Sequence, residues 1–177
     1  MKMSSEGEDM KMSSEGEDMK SILFKGGLEV HFSEEGKENH HARSVFRCVI
    51  PPGARTPMPH YHERFEESVT GVKGTTTWVV NGERNDLGPG DSLLIPRGAT
   101  HYFANHTKEP VEFSCLITPG ILESEYFEDV ASVVNVEGLP DFDKLQGVMR
   151  QHGLVPVLGV RQKIVFAMLG LIRKFKS

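Results

Sequence analysis

The chain of 177 residues, 38% hydrophobic with a net charge of −5, is long enough for one domain with additions at its ends, built on a single core that needs no covalent staples. Its basic residues are scattered except at the extreme C-terminus, which argues against a nucleic-acid footprint and leaves small molecules or proteins as partners. Cys48 and Cys115 lie far apart in apolar segments without CxxC spacing, so they read as buried inert thiols rather than a disulfide framework or a thiolate zinc site.

Residues 1–20 contain the unit KMSSEGEDM twice in tandem, at 2–10 and 11–19. The unit is too short and polar to bury anything, so the segment is expected to be a disordered tail. It lacks the apolar stretch of a signal peptide, and a cytoplasmic location follows by default.

From 21 to 119 the chain consists of short β-branched or aromatic runs punctuated by Gly, Pro and Asn, which predicts an all-β sandwich or barrel. Strands are expected at 21–24, 28–32, 42–50, 57–62, 68–72, 75–80, 92–95, 101–104 and 111–118. Asn81-Gly82 marks a tight hairpin, because both residues tolerate positive φ. After Pro119-Gly120 the spacing turns helical, and residues 120–177 read as a C-terminal helical extension. Helices are expected at 121–134 and 141–152, with Gly153 as the C-terminal stop. A third helix, over 161–176, aligns Ile164, Met168, Leu171, Ile172 and Phe175 along one stripe with Lys and Arg at its ends. It is expected to pack on the barrel or a second subunit, with peripheral membrane contact as the alternative. Its apolar run is about half the roughly 20 residues that a bilayer span needs.

The chemistry concentrates in two blocks. In a strand, alternate side chains share a face, so His60 and His62 can both aim inward while Tyr61 points away. Glu67 opens the following strand, and His101 stands just after the Pro96–Gly98 turn. Three imidazoles and one carboxylate at such positions form a donor set for a single transition-metal ion. Glu66 is the neighbouring alternative to Glu67. His31, His40, His41, His106 and His152 have no partners at comparable spacing and are given no role.

These blocks resemble the two motifs of the cupin superfamily. Gly53, His60, His62, Glu67 and Gly74 match the first, with one extra residue between Gly53 and His60. Gly90, Pro96, Gly98, His101 and Asn105 match the second residue for residue. The resemblance covers about 42–118 and implies a small double-stranded antiparallel β-barrel of the jelly-roll kind. It also implies a metal held by His60, His62, Glu67 and His101, with Glu67 serving as both ligand and proton acceptor.

Such a donor set suits Fe(II), Mn(II), Ni(II), Co(II) or Zn(II). On an octahedral ion four protein ligands leave two adjacent positions for substrate and for dioxygen or water, whereas tetrahedral zinc would be saturated. Met58, Phe46, Trp78 and Phe103, on the ligand-facing parity, are the candidate substrate pocket, and such a lining suits a small apolar or aromatic ligand. Arg43, Arg47 and Arg55 are candidate carboxylate contacts. By analogy with quercetin dioxygenase-like cupins, the leading expectation is a metal-dependent oxygenase, and the alternatives are a non-catalytic ligand-binding or sensing cupin and a metal-dependent isomerase. Unclosed sheet edges favour a homodimer.

Overall fold

A computed structural model describes residues 20–159 together with 165 and 168. The expectations for 1–19 and for most of the 161–176 helix therefore fall outside the described residues, although Val165 and Met168 are helical and exposed. Among the described residues no helix is long and apolar enough to cross a membrane.

Two antiparallel sheets face each other around the core. The larger orders β1 (Ser21–Leu23), β2 (Glu29–Glu34), β3 (Ser44–Ile50), β10 (Val111–Thr118), β5 (Glu66–Lys73) and β8 (Ser92–Ile95). The smaller orders β11 (Leu154–Pro156), β4 (His60–His62), β9 (His101–Ala104), β6 (Thr76–Val80) and β7 (Glu83–Leu87). Period-two alternation dictates the inner faces: Ser44, Phe46, Cys48 and Ile50 of β3 are buried, as are Val111, Phe113, Cys115 and Ile117 of β10. Burying Phe46, Ile50, Val69, Trp78, Ile95, Phe113 and Ile117 between the sheets removes enough apolar surface to hold them together, at roughly 1.5–3 kcal/mol for each large side chain.

The chain reverses at Asn81 (φ 50°) and Gly82 (φ 86°), as a tight hairpin requires, with Val80 paired to Glu83. The returning strand, β7, is absent from the sequence expectations. Its residues ERNDL have low strand propensity, and only Leu87 is buried. It survives as an edge strand because the turn delivers it to β6. The strand expected over 57–62 is shorter than predicted: Pro57 and Met58 form a bend, and extended pairing begins at His60.

Helices α1 (Ser124–Val134) and α2 (Phe142–Gln151) follow the barrel. The Asp141 side chain caps α2 by accepting from the Lys144 amide at 3.1 Å, and Gly153 takes φ 82° just beyond its end. The extension does more than append helices. Phe127 of α1 meets Phe46 and Phe32 at ring-centroid distances of 5.0 and 5.6 Å, and β11 pairs with β4, setting Leu154 opposite His62.

Candidate metal centre

His60 and His62 alternate along β4 and share its inner face, while His101 on β9 is the register partner of His60. One ligand atom from each of the three imidazoles lies within 4.8 Å of the others, and all three residues are buried. Placement of His101 depends on the turn before it. Gly98 adopts φ 77°, a conformation that costs a side-chain-bearing residue about 1–2 kcal/mol, and its amide donates to the His62 carbonyl at 2.8 Å. The turn is thereby fastened to the strand that carries the other two imidazoles.

Glu67 comes from the opposite sheet. On β5 it points inward while Glu66 is exposed, so of the two acidic neighbours it is Glu67 that faces the histidines. Its Oε2 lies 3.5 Å from His101 Nε2 and 3.9 Å from His62 Nε2. Its Oε1 accepts a hydrogen bond from the Cys115 thiol at 3.0 Å. Glu67 therefore stands beside two of the three imidazoles, and of these four residues the three histidines share the common 4.8 Å spacing.

The outer nitrogens explain how the rings are aimed. His60 Nδ1 lies 3.1 Å from the Met58 carbonyl, and His101 Nδ1 lies 2.9 Å from the Ala99 carbonyl. A carbonyl can only accept, so each Nδ1 carries a hydrogen, and the neutral form of such a ring has its lone pair on Nε2. His62 Nδ1 has no such partner, and its ring is instead stacked on Phe65 at 4.2 Å and 24°. Burial, reinforced by nearby His101, holds the His60 imidazole down at about 4, and burial holds His62 down at about 3. Burial alone would push the Glu67 carboxyl up, but contact with His101, the charge of His62 and the Cys115 hydrogen bond together bring it to about 2. Near neutrality the centre thus combines uncharged imidazoles at His60 and His62 with an ionised carboxylate. Lone pairs and negative charge converging in a buried space call for a positive occupant, and a divalent ion fits that donor set.

A cavity of about 90 Å³ adjoins the group. Phe46, Trp78 and Phe103 line it, as the side-chain parity predicts. Met58 stands apart from that wall and is fully buried; because the chain bends at 57–58, strand parity does not extend back to it, and its contribution to the centre is the backbone carbonyl on His60. Arg43 and Arg47 pair with Glu34 and Glu112, away from the cavity. His31, His41 and His152 hydrogen-bond to Ser21 and Glu29, to Gly120, and to Asp129.

The wall also contains groups that the sequence did not announce. Leu122, Tyr126 and Phe127 reach it from the start of the extension and from α1, and Leu154 reaches it from β11. The sequence signal for them was weak: helical periodicity shows that α1 has an apolar face but not what the face covers, and a three-residue strand ending in Pro156 lacks strand patterning. Burial pushes the Tyr126 hydroxyl well above its usual range, and the charge of Glu67 adds to this, so Tyr126 stays protonated. Cys115, read as inert, touches Glu67.

Comparison with known proteins agrees with this architecture. Residues 46–117 match the family described as Cupin domain. Mannose-1-phosphate guanylyltransferase ManC of Salmonella typhimurium is 35% identical over 88 residues, which is 48% of this chain and 18% of that protein. The corresponding Escherichia coli enzyme is 32% identical over 81 residues, covering 46% and 17%. The chain thus spans less than a fifth of the length of these two relatives. Among solved structures, a predicted oxalate decarboxylase from Thermotoga maritima superposes with a TM-score of 0.51 at 23% identity, over 56% of this chain and 90% of the other. KdgF from Halomonas sp. gives 0.51 at 19%, over 60% and 91%. At such identities the likeness is one of fold. Two facing antiparallel sheets, both sequence motifs and the family match lead to one assignment: residues 46–117 carry a cupin domain.

Proposed function

We propose that the protein is a metal-dependent cupin enzyme, an oxygenase acting on a small apolar or aromatic substrate, with one divalent ion among Fe, Mn, Ni, Co and Zn held by His60, His62, Glu67 and His101. The observation that carries this reading is the convergence of three buried imidazoles with an ionised carboxylate beside an aromatic-walled cavity. Such an ion, when bound, supplies Lewis acidity toward an enolate or phenolate oxygen and, if redox-active, a route for electrons to dioxygen.

The chain's own residues do the rest. His60 and His101 present Nε2 because their other nitrogens are committed to backbone carbonyls. Glu67, already ionised, is first a ligand. A carboxylate held near 2 is a weak base, so it takes a substrate proton only when that proton is itself made acidic at the centre. Phe46, Trp78, Phe103 and Phe113 form a largely apolar wall that excludes water and suits a flat substrate. Its further polar members, Thr56, Cys115 and Tyr126, carry no positive charge, which favours an uncharged or phenolic ligand over a phosphorylated one. The volume, about 90 Å³, corresponds to a few water molecules and falls below the several hundred Å³ usual for a drug-sized ligand. The reading therefore favours a compact substrate.

A homodimer remains part of the proposal, supported by Leu94 and Leu116, which are exposed at β8 and β10 of the larger sheet. The test is oxygen consumption by Fe(II)- or Ni(II)-loaded protein given small β-diketones, catechols and flavonols. Uptake with the small substrates is expected. A flat trace across the panel would remove the oxygenase assignment and leave isomerase or ligand-binding chemistry.

A further inference from the structure

Cys115 has no role in the family motifs matched above, yet its thiol contacts the Glu67 carboxylate at the centre. It projects inward from β10, where its register partner on β5 is Val69, two residues beyond Glu67 on the same inner face. Both side chains are buried, at 1% and 7% exposure, so water offers little competition for the bond between them. The Sγ–H donates to Oε1 at 3.0 Å, while the other oxygen, Oε2, faces His62 and His101. One carboxylate oxygen is thus occupied by the thiol and the other is left for the centre.

We infer that Cys115 is a positioning residue whose thiol hydrogen bond fixes the Glu67 carboxylate so that it offers a single oxygen, Oε2, to the metal. The inference rests on the metal-site reading given above. The physical reason is that a free carboxylate rotates about its last torsion and can present either oxygen or both, because that sp³–sp² torsion is broad. A donor anchored on the β-sheet and directed at one oxygen removes that freedom. Partners that orient a metal ligand typically contribute 10–100-fold to affinity. A carboxylate oxygen can only accept, so at 3.0 Å the Cys115 thiol is the donor and its hydrogen lies on the bond to Oε1. Cys115 is accordingly not expected to be a ligand.

Two substitutions of similar size separate the donor from the packing. Cys115→Ser retains a short O–H donor, whereas Cys115→Val retains the bulk and removes the donor. The measurement is titration of the metal-free full chain with Co(II), read as the visible d–d spectrum and the dissociation constant, with circular dichroism as the check on folding. Wild type and Cys115→Ser are expected to share a spectrum and to bind within a few-fold of each other. Cys115→Val is expected to fold, to bind about 10–100-fold more weakly and to show a shifted visible band as the carboxylate changes its mode of attachment. Identical spectra and affinities for all three proteins would overturn the positioning role while leaving the metal site intact. An intense ultraviolet thiolate-to-cobalt band in wild type would overturn it by making Cys115 a ligand. A wild-type chain that binds no Co(II) would overturn the metal-site reading itself, and the positioning role with it.

Discussion

His60 and His101 face each other as register partners on β4 and β9, and each is hydrogen-bonded through Nδ1 to the carbonyl two residues before it in the chain. The same local device on two adjacent strands turns two Nε2 lone pairs toward one place. Each ring is oriented by its own segment of backbone, so the arrangement exists before any ion arrives, and less ordering is required when one binds.

Replacing His101 by Ala removes the imidazole that is closest to both His60 and Glu67. Metal affinity is expected to fall by more than about 100-fold, beyond the loss typical of a supporting partner. Competition with a colorimetric chelator measures this, and an affinity within a few-fold of wild type would exclude His101 as a ligand.

Acid should destabilise the metal-free protein in a defined window. The folded-state values of His60 and His62 lie near 4 and 3, below the ordinary value of 6.5, and that of Glu67 lies near 2, below 4.5. In each case the unfolded chain binds its proton first, so stability is complete above pH 6.5 and is lost as pH falls toward 3. Denaturant midpoints of metal-free protein across pH 7 to 4 should fall steadily, and the slope should be shallower in His62→Gln. An unchanged slope in that variant would mean that His62 titrates normally.

Phe65 is fully buried and stacks on His62, which among His60, His62 and His101 is the imidazole whose Nδ1 lacks a hydrogen bond. Phe65→Ala is expected to cost about 3–5 kcal/mol of stability. It should also weaken metal binding at temperatures where the variant is still folded, because the ring loses the surface that orients it. Phe65→Leu should recover most of the stability but less of the affinity. Chemical denaturation and metal titration on both variants provide the check.

Asn105, the last residue of the second motif, lies away from the ligand atoms. Its Nδ2 donates to the carbonyls of Ile50 and Glu109, and its Oδ1 accepts from the amide and hydroxyl of Thr107. Asn105→Ala leaves those groups without their partner and should lower stability by about 1–3 kcal/mol. Metal stoichiometry of the folded protein should be unaffected, as measured by elemental analysis beside a thermal melt.

The sequence exposed the parts of this molecule that obey local rules. Period-two alternation places His60 and His62 together, the Asn81-Gly82 turn fixes a hairpin, and the positions of Glu67 and His101 follow from motif spacing. Features that depend on what packs against what were hidden. Strand β7 is held by its turn rather than by its residues. Leu154 enters the cavity wall because β11 pairs with β4 across a separation of about ninety residues, which no local pattern records. Met58 sits in a bend, where the strand parity that His60 and His62 follow does not apply. The Cys115–Glu67 contact joins neighbouring strands across a sequence separation of 48, and an apolar strand containing a cysteine gives no sign of it.

The most direct test is elemental analysis of the full chain purified without added metal, paired with melting before and after chelation. One transition-metal ion per chain is expected, with a fall in Tm when it is removed; at ligand concentrations 100-fold above Kd, the lost stabilisation would be about 2.7 kcal/mol. His62→Ala should show neither the ion nor the chelator response. A wild-type chain that carries no metal, takes up none on titration and melts at the same temperature with or without chelator would contradict the account.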